Sequence, residues 1–298
     1  MRILYCTDFT QAALYSLERA RPFLRDYCKV DVISTIEIEY LTAFSSYPTT
    51  YKNYLELSRK NKAEKFEERR SAIEGGKLHI ENFLYPEGNA ADEILNQLKN
   101  ESYSLIIMGS RTKMLFGKWL GSTSRKIAEK SPVPLFVAKK KIKEEPLPES
   151  KNVLFTVDGT ENSYNSIKKA IEILDLKNSG IEVLHIKKGK ESLPPEIVSD
   201  QEWLKIILKK EEELSREIIE RVCHICREKN IKVDTKTILE GSAVDKILDY
   251  TDENKKDLIV MGSHGREGIS SLLLGSVSKR VLDNTYCPVM IIPTKKGY

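Results

Sequence analysis

The sequence predicts an α/β fold of two tandem domains, each a five-stranded parallel sheet of order 3-2-1-4-5 flanked by helices. Three observations predict it. The 298-residue chain is long enough for two domains, each burying its own core. The sequence is written twice, at an offset of about 150 residues. Within each copy, short apolar runs alternate with longer segments of helical spacing, as parallel strands joined by crossover helices require.

The repeat is carried by four segments. Ile3-Leu4-Tyr5-Cys6-Thr7-Asp8 recurs as Val153-Leu154-Phe155-Thr156-Val157-Asp158, and Gly88 to Leu95 recurs as Gly241 to Leu248. Ser104 to Ser110 matches Asp257 to Ser263, and Pro134 to Ala138 matches Pro288 to Ile292. The charged stretch from Lys139 to Ser150, with Pro146 and Pro148 and no periodic apolar face, reads as a linker. The expected division is residues 1–140, a linker at 141–151 and residues 152–298.

In the second copy, Val153 to Val157 reads as strand one. Asn162 to Leu174 reads as a helix with Ile167, Ala170, Ile171 and Leu174 on one face. Ile181 to Ile186 reads as strand two, Lys232 to Leu239 as strand three, Leu258 to Met261 as strand four and Val289 to Ile292 as strand five. These runs are apolar almost throughout, which suits strands covered on both faces. Before strand three each copy has a long charged helix, about Tyr51 to Glu74 and about Asp200 to Lys229. In the latter, Trp203, Ile207, Leu214, Ile218, Val222 and Ile225 form a stripe expected to pack on its own sheet.

Composition narrows the function classes. The hydrophobic fraction is 40%, and no apolar run approaches the ~20 residues that span a bilayer. Asp8 interrupts the N-terminal apolar stretch too early for a secretory leader, so a cytoplasmic protein is expected. The formal charge of +4 arises from a mixed surface, so nucleic acid is not implied. The five cysteines are odd in number and scattered, and reduced thiols follow. Cys223 and Cys226 share a helix face but have no second ligand pair for zinc, so they read as small core residues. No metal site is expected.

In a doubly wound sheet of this order the winding reverses between strands one and four, and ligands bind in the crevice there. Asp158 ends strand one and Gly262 ends strand four. Gly262-Ser263-His264-Gly265 is followed by Gly275-Ser276-Val277-Ser278, which opens a helix. Glycines permit positive φ and close backbone approach, while free N–H groups at a helix start favour a phosphate. Ser276 and Ser278 add candidate hydroxyl donors, and Asp158, an acceptor when ionised, suits ribose hydroxyls or an adenine amino group. His264 is expected to face solvent and His185 to be packed, so no catalytic residue is assigned. No Gly-x-x-x-x-Gly-Lys-Ser/Thr loop is present.

The spacing of Gly262, Gly265, Gly275 and Ser276, with Asp158 closing strand one and Gly241 after strand three, resembles the nucleotide-binding universal stress protein family. Both copies share the resemblance, which covers nearly the whole chain apart from linker and tail. It implies Rossmann-like, adenine nucleotide alpha hydrolase-like domains that bind ATP, ADP or AMP, with or without Mg2+, and pair through their fifth strands as an intramolecular pseudo-dimer, with further homodimerisation optional. It also implies that Ile186 touches adenine through its backbone and that Asp158, Met261, Gly262, Gly265, Gly275, Ser276, Val277 and Ser278 line the rest of the site. Gly241 matches a position near the ribose, although a glycine there serves a turn equally well.

The first copy departs from this pattern. Asp8, Gly88, Gly109, Gly121 and Ser122 remain, but Thr112 replaces the second glycine and the loop is one residue shorter. A β-branched residue at positive φ carries strain on the order of 1 to 3 kcal/mol. Nucleotide binding mainly in the second domain is therefore expected, in a stress-response sensor or regulator. The alternatives are a nucleotide-independent interaction protein acting through its pseudo-dimer surface and an ATP-consuming enzyme. The latter's Ser-Gly-Gly-x-Asp-Ser loop is replaced by Val157-Asp158-Gly159-Thr160-Glu161-Asn162, leaving at most slow hydrolysis.

Overall fold

The computed structural model describes residues 1–38, 48–110, 121–140, 151–264 and 274–293. Gly265, Thr112 and residues 141–150 of the expected linker lie outside the described residues. The chain forms two compact units that divide near residue 147.

The first unit runs β1 (Arg2–Cys6), α1 (Gln11–Ala20), β2 (Cys28–Ile33), α2 (Pro48–Ile73), β3 (Leu78–Leu84), α3 (Ala90–Asn100), β4 (Leu105–Ser110), α4 (Ser122–Lys130) and β5 (Leu135–Lys139). Its strands lie in the order β3-β2-β1-β4-β5, all parallel. The central strand β1 pairs Leu4 with Asp31 on one side and with Ile106 on the other. Ile3, Leu4 and Tyr5 are fully buried, as a strand with helices over both faces must be. The edge strand β3 alternates between buried and exposed positions instead.

The second unit repeats this plan with β6 (Lys151–Val157), α5 (Glu161–Ile173), β7 (Ser179–Lys187), the short α6 (Pro195–Ser199), α7 (Gln201–Glu228), β8 (Thr235–Glu240), α8 (Ala243–Glu253), β9 (Leu258–Gly262), α9 (Ser276–Asn284) and β10 (Val289–Ile292). Its strands lie in the order β8-β7-β6-β9-β10 and are again parallel. Both units therefore have the 3-2-1-4-5 order, and strands four and one are neighbours in each.

Each unit also holds a carboxylate clamp away from the crevice, buried in the first and half-buried in the second. In the first unit Asp31, 1% exposed, accepts from Arg2 Nη2 at 2.6 Å, Tyr103 OH at 2.7 Å and Asn82 Nδ2 at 2.8 Å. The second unit places Glu182 at the matching position in β7, held by Lys256 Nζ at 2.5 Å and Tyr250 OH at 2.9 Å. Three donors satisfy the buried carboxylate of Asp31, whose desolvation alone would be costly.

One packing expectation needs revision. The stripe on α7 packs only in part: Val222 and Ile225 are buried, whereas Trp203 is 60% and Leu214 is 48% exposed. The inward face follows Ser215, Ile219, Val222 and Cys226, rotated from the stripe, because α7 is far longer than the sheet face it crosses. Cys223 and Cys226 are buried as expected, and burial pushes the Cys226 thiol up to about 12.

Candidate functional site

The crevice of the second unit begins at the adjacent carboxyl ends of β6 and β9, where Phe155 pairs with Val260. Asp158 follows β6 and turns the chain into α5. Its Oδ1 accepts from Thr160 N at 3.0 Å and Thr160 Oγ1 at 2.7 Å. Gly159 between them has φ of +86°, which a side chain would strain. The first unit builds the same turn at Asp8, whose Oδ1 accepts from Thr10 N at 3.0 Å and Thr10 Oγ1 at 2.5 Å. There the middle residue is Phe9, at φ of +63° and 6% exposed, packed edge-on against Phe83. The threonine two residues beyond the acid is in both copies and was the signal for this turn, although spacing of glycines alone does not draw attention to it.

Gly262 ends β9, but its role differs from the expectation of positive φ. Its backbone lies outside the left-handed region, and a Cβ there would stand 2.9 Å from Ser166 Oγ on α5. In the first unit a Cβ at Gly109 would stand 2.4 Å from the carbonyl oxygen of Ala12 on α1. A glycine at the end of strand four thus lets the first helix of each unit pack against it.

The start of α9 is clasped onto the end of β9. Ser278 Oγ donates to the Gly262 carbonyl at 2.8 Å, and Gly275 N donates to the Ser263 carbonyl at 2.7 Å. Ser278 is 5% exposed, and its hydroxyl proton is engaged within the protein. Ser276 is exposed and Val277 half-buried at the same helix start. Gly275 is the N-cap and brings no side-chain bond to the first turn, whereas Asn89 and Asp200 cap α3 and α7 through their side chains. Among the described residues, the backbone donors at the start of α9 therefore lack the side-chain cap acceptor those helices have.

The other expected residues divide by position. Ile186, half-buried in β7, pairs with Leu239, and Met261 is 4% exposed in β9. Gly241 has φ of +124° and donates from N to the Lys187 carbonyl at 3.1 Å, so the turn alone accounts for a glycine there. His185 is 2% exposed, with Nδ1 2.9 Å from the Val157 carbonyl oxygen. His264 is half-buried rather than solvent-facing. Its Nδ1 lies 2.9 Å from Ser263 Oγ, and burial lowers its imidazole below the ordinary range.

The matching crevice of the first unit opens as a cavity of about 630 Å³. Asp8, Gly109, Gly121 and Ser122, all expected in the first copy, line it. Gly88 is not on this wall; it takes φ of +142° in the turn before α3. Glycine spacing gave no hint of Lys62 and Lys65, which reach the cavity from α2.

Comparison with known proteins agrees with this architecture. The model of the universal stress protein family matches twice, over residues 1–139 and 149–293. Universal stress protein MJ0531 of Methanocaldococcus jannaschii is 29% identical over 146 residues, which cover 49% of this chain and 84% of that protein. Universal stress protein YxiE of Bacillus subtilis is 26% identical over 146 residues, covering 47% of this chain and 97% of its own. The crystal structure of a universal stress protein from Archaeoglobus fulgidus superposes over 97% of both chains with a TM-score of 0.63 at 21% identity, a likeness of fold. Among the described residues no helix is long and apolar enough to cross a membrane. With five parallel strands of one order in each unit and a family match over each, the chain belongs to the universal stress protein family as a tandem of two such domains.

Proposed function

We propose that the second domain binds an adenine nucleotide and that the protein acts as a stress-response regulator through that occupancy rather than through catalysis. The observation that carries this reading is the clasp between Ser278 and Gly262. It holds the first turn of α9, capped by a glycine without a side-chain bond, at the end of β9 and one strand from Asp158.

In this reading, the backbone N–H groups of Ser276, Val277 and Ser278 receive a phosphate and the helix dipole favours its charge. Gly265 lets the preceding loop approach the same group. Asp158 accepts from ribose hydroxyls, kept apart from the phosphates it would repel, and Ile186 meets the base. The ligand is ATP, ADP or AMP, with or without Mg2+. Intramolecular pairing of the fifth strands β5 and β10, which the family resemblance implies, belongs to the same proposal.

Mass analysis of nucleotide released on denaturing the purified chain, with calorimetric titration of the apo form, tests it. Adenine nucleotide is expected in stoichiometric amount. Gly265→Val is expected to remove one bound equivalent, while Thr112→Gly does not lower binding. Undiminished binding by Gly265→Val overturns the site assignment, and absence of adenine nucleotide from both measurements overturns the function.

A further inference from the structure

The apolar stripe that the sequence sets along α7 runs beside the face that packs on the sheet. Trp203 is 60% and Leu214 is 48% exposed, and Ile207 and Ile218 are half-buried. At about 100° per residue the four fall within a sector of about 60° around the helix, to one side of the inward face through Ser215, Ile219 and Val222. The fold does not call for apolar side chains there. In the register that matches Gly88 with Gly241, α2 sets Phe66 against Ile219 and Ile73 against Cys226, all buried, but carries Thr50, Tyr54, Asn61 and Lys65 where α7 has the stripe.

Two patterns along α7 share one centre. The stripe steps by four, seven and four residues, so its midpoint lies between Lys210 and Glu211. Charge changes sign at that midpoint. From Trp203 to Lys210 the charged residues are Lys205, Lys209 and Lys210, whereas from Glu211 to Ile218 they are Glu211, Glu212, Glu213, Arg216 and Glu217. The halves therefore carry equal and opposite net charge. Lys210 and Glu211, which flank the stripe, form no ion pair among the described residues.

We infer that this face of α7 is where two copies of the chain associate, helix against antiparallel helix. A two-fold interface needs a patch complementary to itself, and this stripe meets that condition. Antiparallel pairing about its midpoint sets Trp203 against Ile218 and Ile207 against Leu214 of the second copy. It also sets the lysine half of each helix against the glutamate half of the other, whereas a parallel pair would set like charges together. An anionic lipid surface would meet the glutamates along with the lysines, so the charge pattern favours a second helix over a membrane. The seam spans about 22 Å at about 1.5 Å per residue, and a contact of one helix per copy belongs to the small, transient class of interfaces. Nucleotide binding plays no part in this inference.

Sedimentation velocity of the full chain without nucleotide tests it. A reversible equilibrium of monomer and dimer in the micromolar range is expected. Trp203→Thr with Leu214→Asn, the first-domain residues at those places, is expected to weaken association at least about tenfold while the thermal melt of the monomer is unchanged. Two charge variants test the orientation: Lys209→Glu with Lys210→Glu, and Glu213→Lys with Glu217→Lys. Each alone sets like charges together and is expected to associate at least about tenfold more weakly than the wild type, whereas an equimolar mixture of the two regains the dimer. Recovery in the mixture also shows that both variants are folded. Association that the Trp203 and Leu214 exchange leaves intact overturns the inference, because the contact then lies elsewhere. A mixture that associates no better than its components overturns the antiparallel pairing. A chain that stays monomeric at every soluble concentration overturns the inference as well, and if that monomer pellets with phosphatidylglycerol vesicles the face belongs to a membrane instead.

Discussion

Ser278 Oγ donates to the carbonyl oxygen of Gly262 at 2.8 Å, and Ser124 Oγ repeats the bond to Gly109 at 3.2 Å in the first domain. The bond fixes where the last helix of each domain begins relative to the end of strand four. Ser278→Ala leaves a buried carbonyl without this donor and is expected to cost about 1 to 3 kcal/mol. Urea denaturation measures the loss, and a midpoint equal to that of the wild type contradicts the role assigned to the clasp.

Gly109 is a packing glycine. With a Cβ 2.4 Å from the Ala12 carbonyl oxygen, Gly109→Ala forces α1 from β4 and is expected to destabilise by about 1 to 3 kcal/mol. Gly121, whose added Cβ would meet nothing within 4 Å among the described residues, provides the control: Gly121→Ala is expected to cost less. Thermal melts that rank the two variants in the opposite order would show that the approach of α1 is not what demands a glycine at 109.

Asp31 is a buried hub with three donors, Arg2, Tyr103 and Asn82. Asp31→Ala leaves Arg2 paired with Glu101 at 2.6 Å but takes the acceptor from Tyr103 and Asn82, and is expected to cost about 1 to 3 kcal/mol. Because the clamp lies away from the crevice, ligand affinity of the folded variant is expected to match the wild type. Equilibrium unfolding beside calorimetry separates these two effects.

His264 gives the stability a dependence on acid. Burial holds its folded-state imidazole below the ordinary value, so between the folded value and the unfolded value of about 6.5 the unfolded chain binds more protons. Its contribution is therefore nil above about pH 6.5 and becomes destabilising as pH falls below that value. His264→Asn is expected to narrow the gap between urea midpoints at pH 7.5 and pH 5.5. A gap of unchanged size in the variant shows that His264 is not a source of it.

The repeat, the five-strand order and the crevice between strands one and four were legible in the residues, because buried parallel strands leave unbroken apolar runs such as Leu258 to Met261. Strand ends differed by a few residues, with β8 beginning at Thr235 rather than Lys232. What was not legible depended on three-dimensional neighbours. Nothing local to Gly262 reveals that Ser166 stands above it, and nothing local to Ser278 reveals that its hydroxyl is taken by a carbonyl. The stripe through Trp203 and Leu214 had helical period but the wrong phase, since a helix longer than its sheet leaves apolar positions outside. Trp203→Ala is accordingly expected to change stability by no more than about 0.5 kcal/mol.

The central claim, an adenine nucleotide held by the second domain, is tested most directly by hydrogen–deuterium exchange of the full chain with and without ATP. Protection is predicted at 158–162 and 275–282, where Asp158 turns into α5 and α9 begins, and it is predicted to vanish in Gly265→Val. Exchange at those two segments that ATP leaves unchanged would contradict the account.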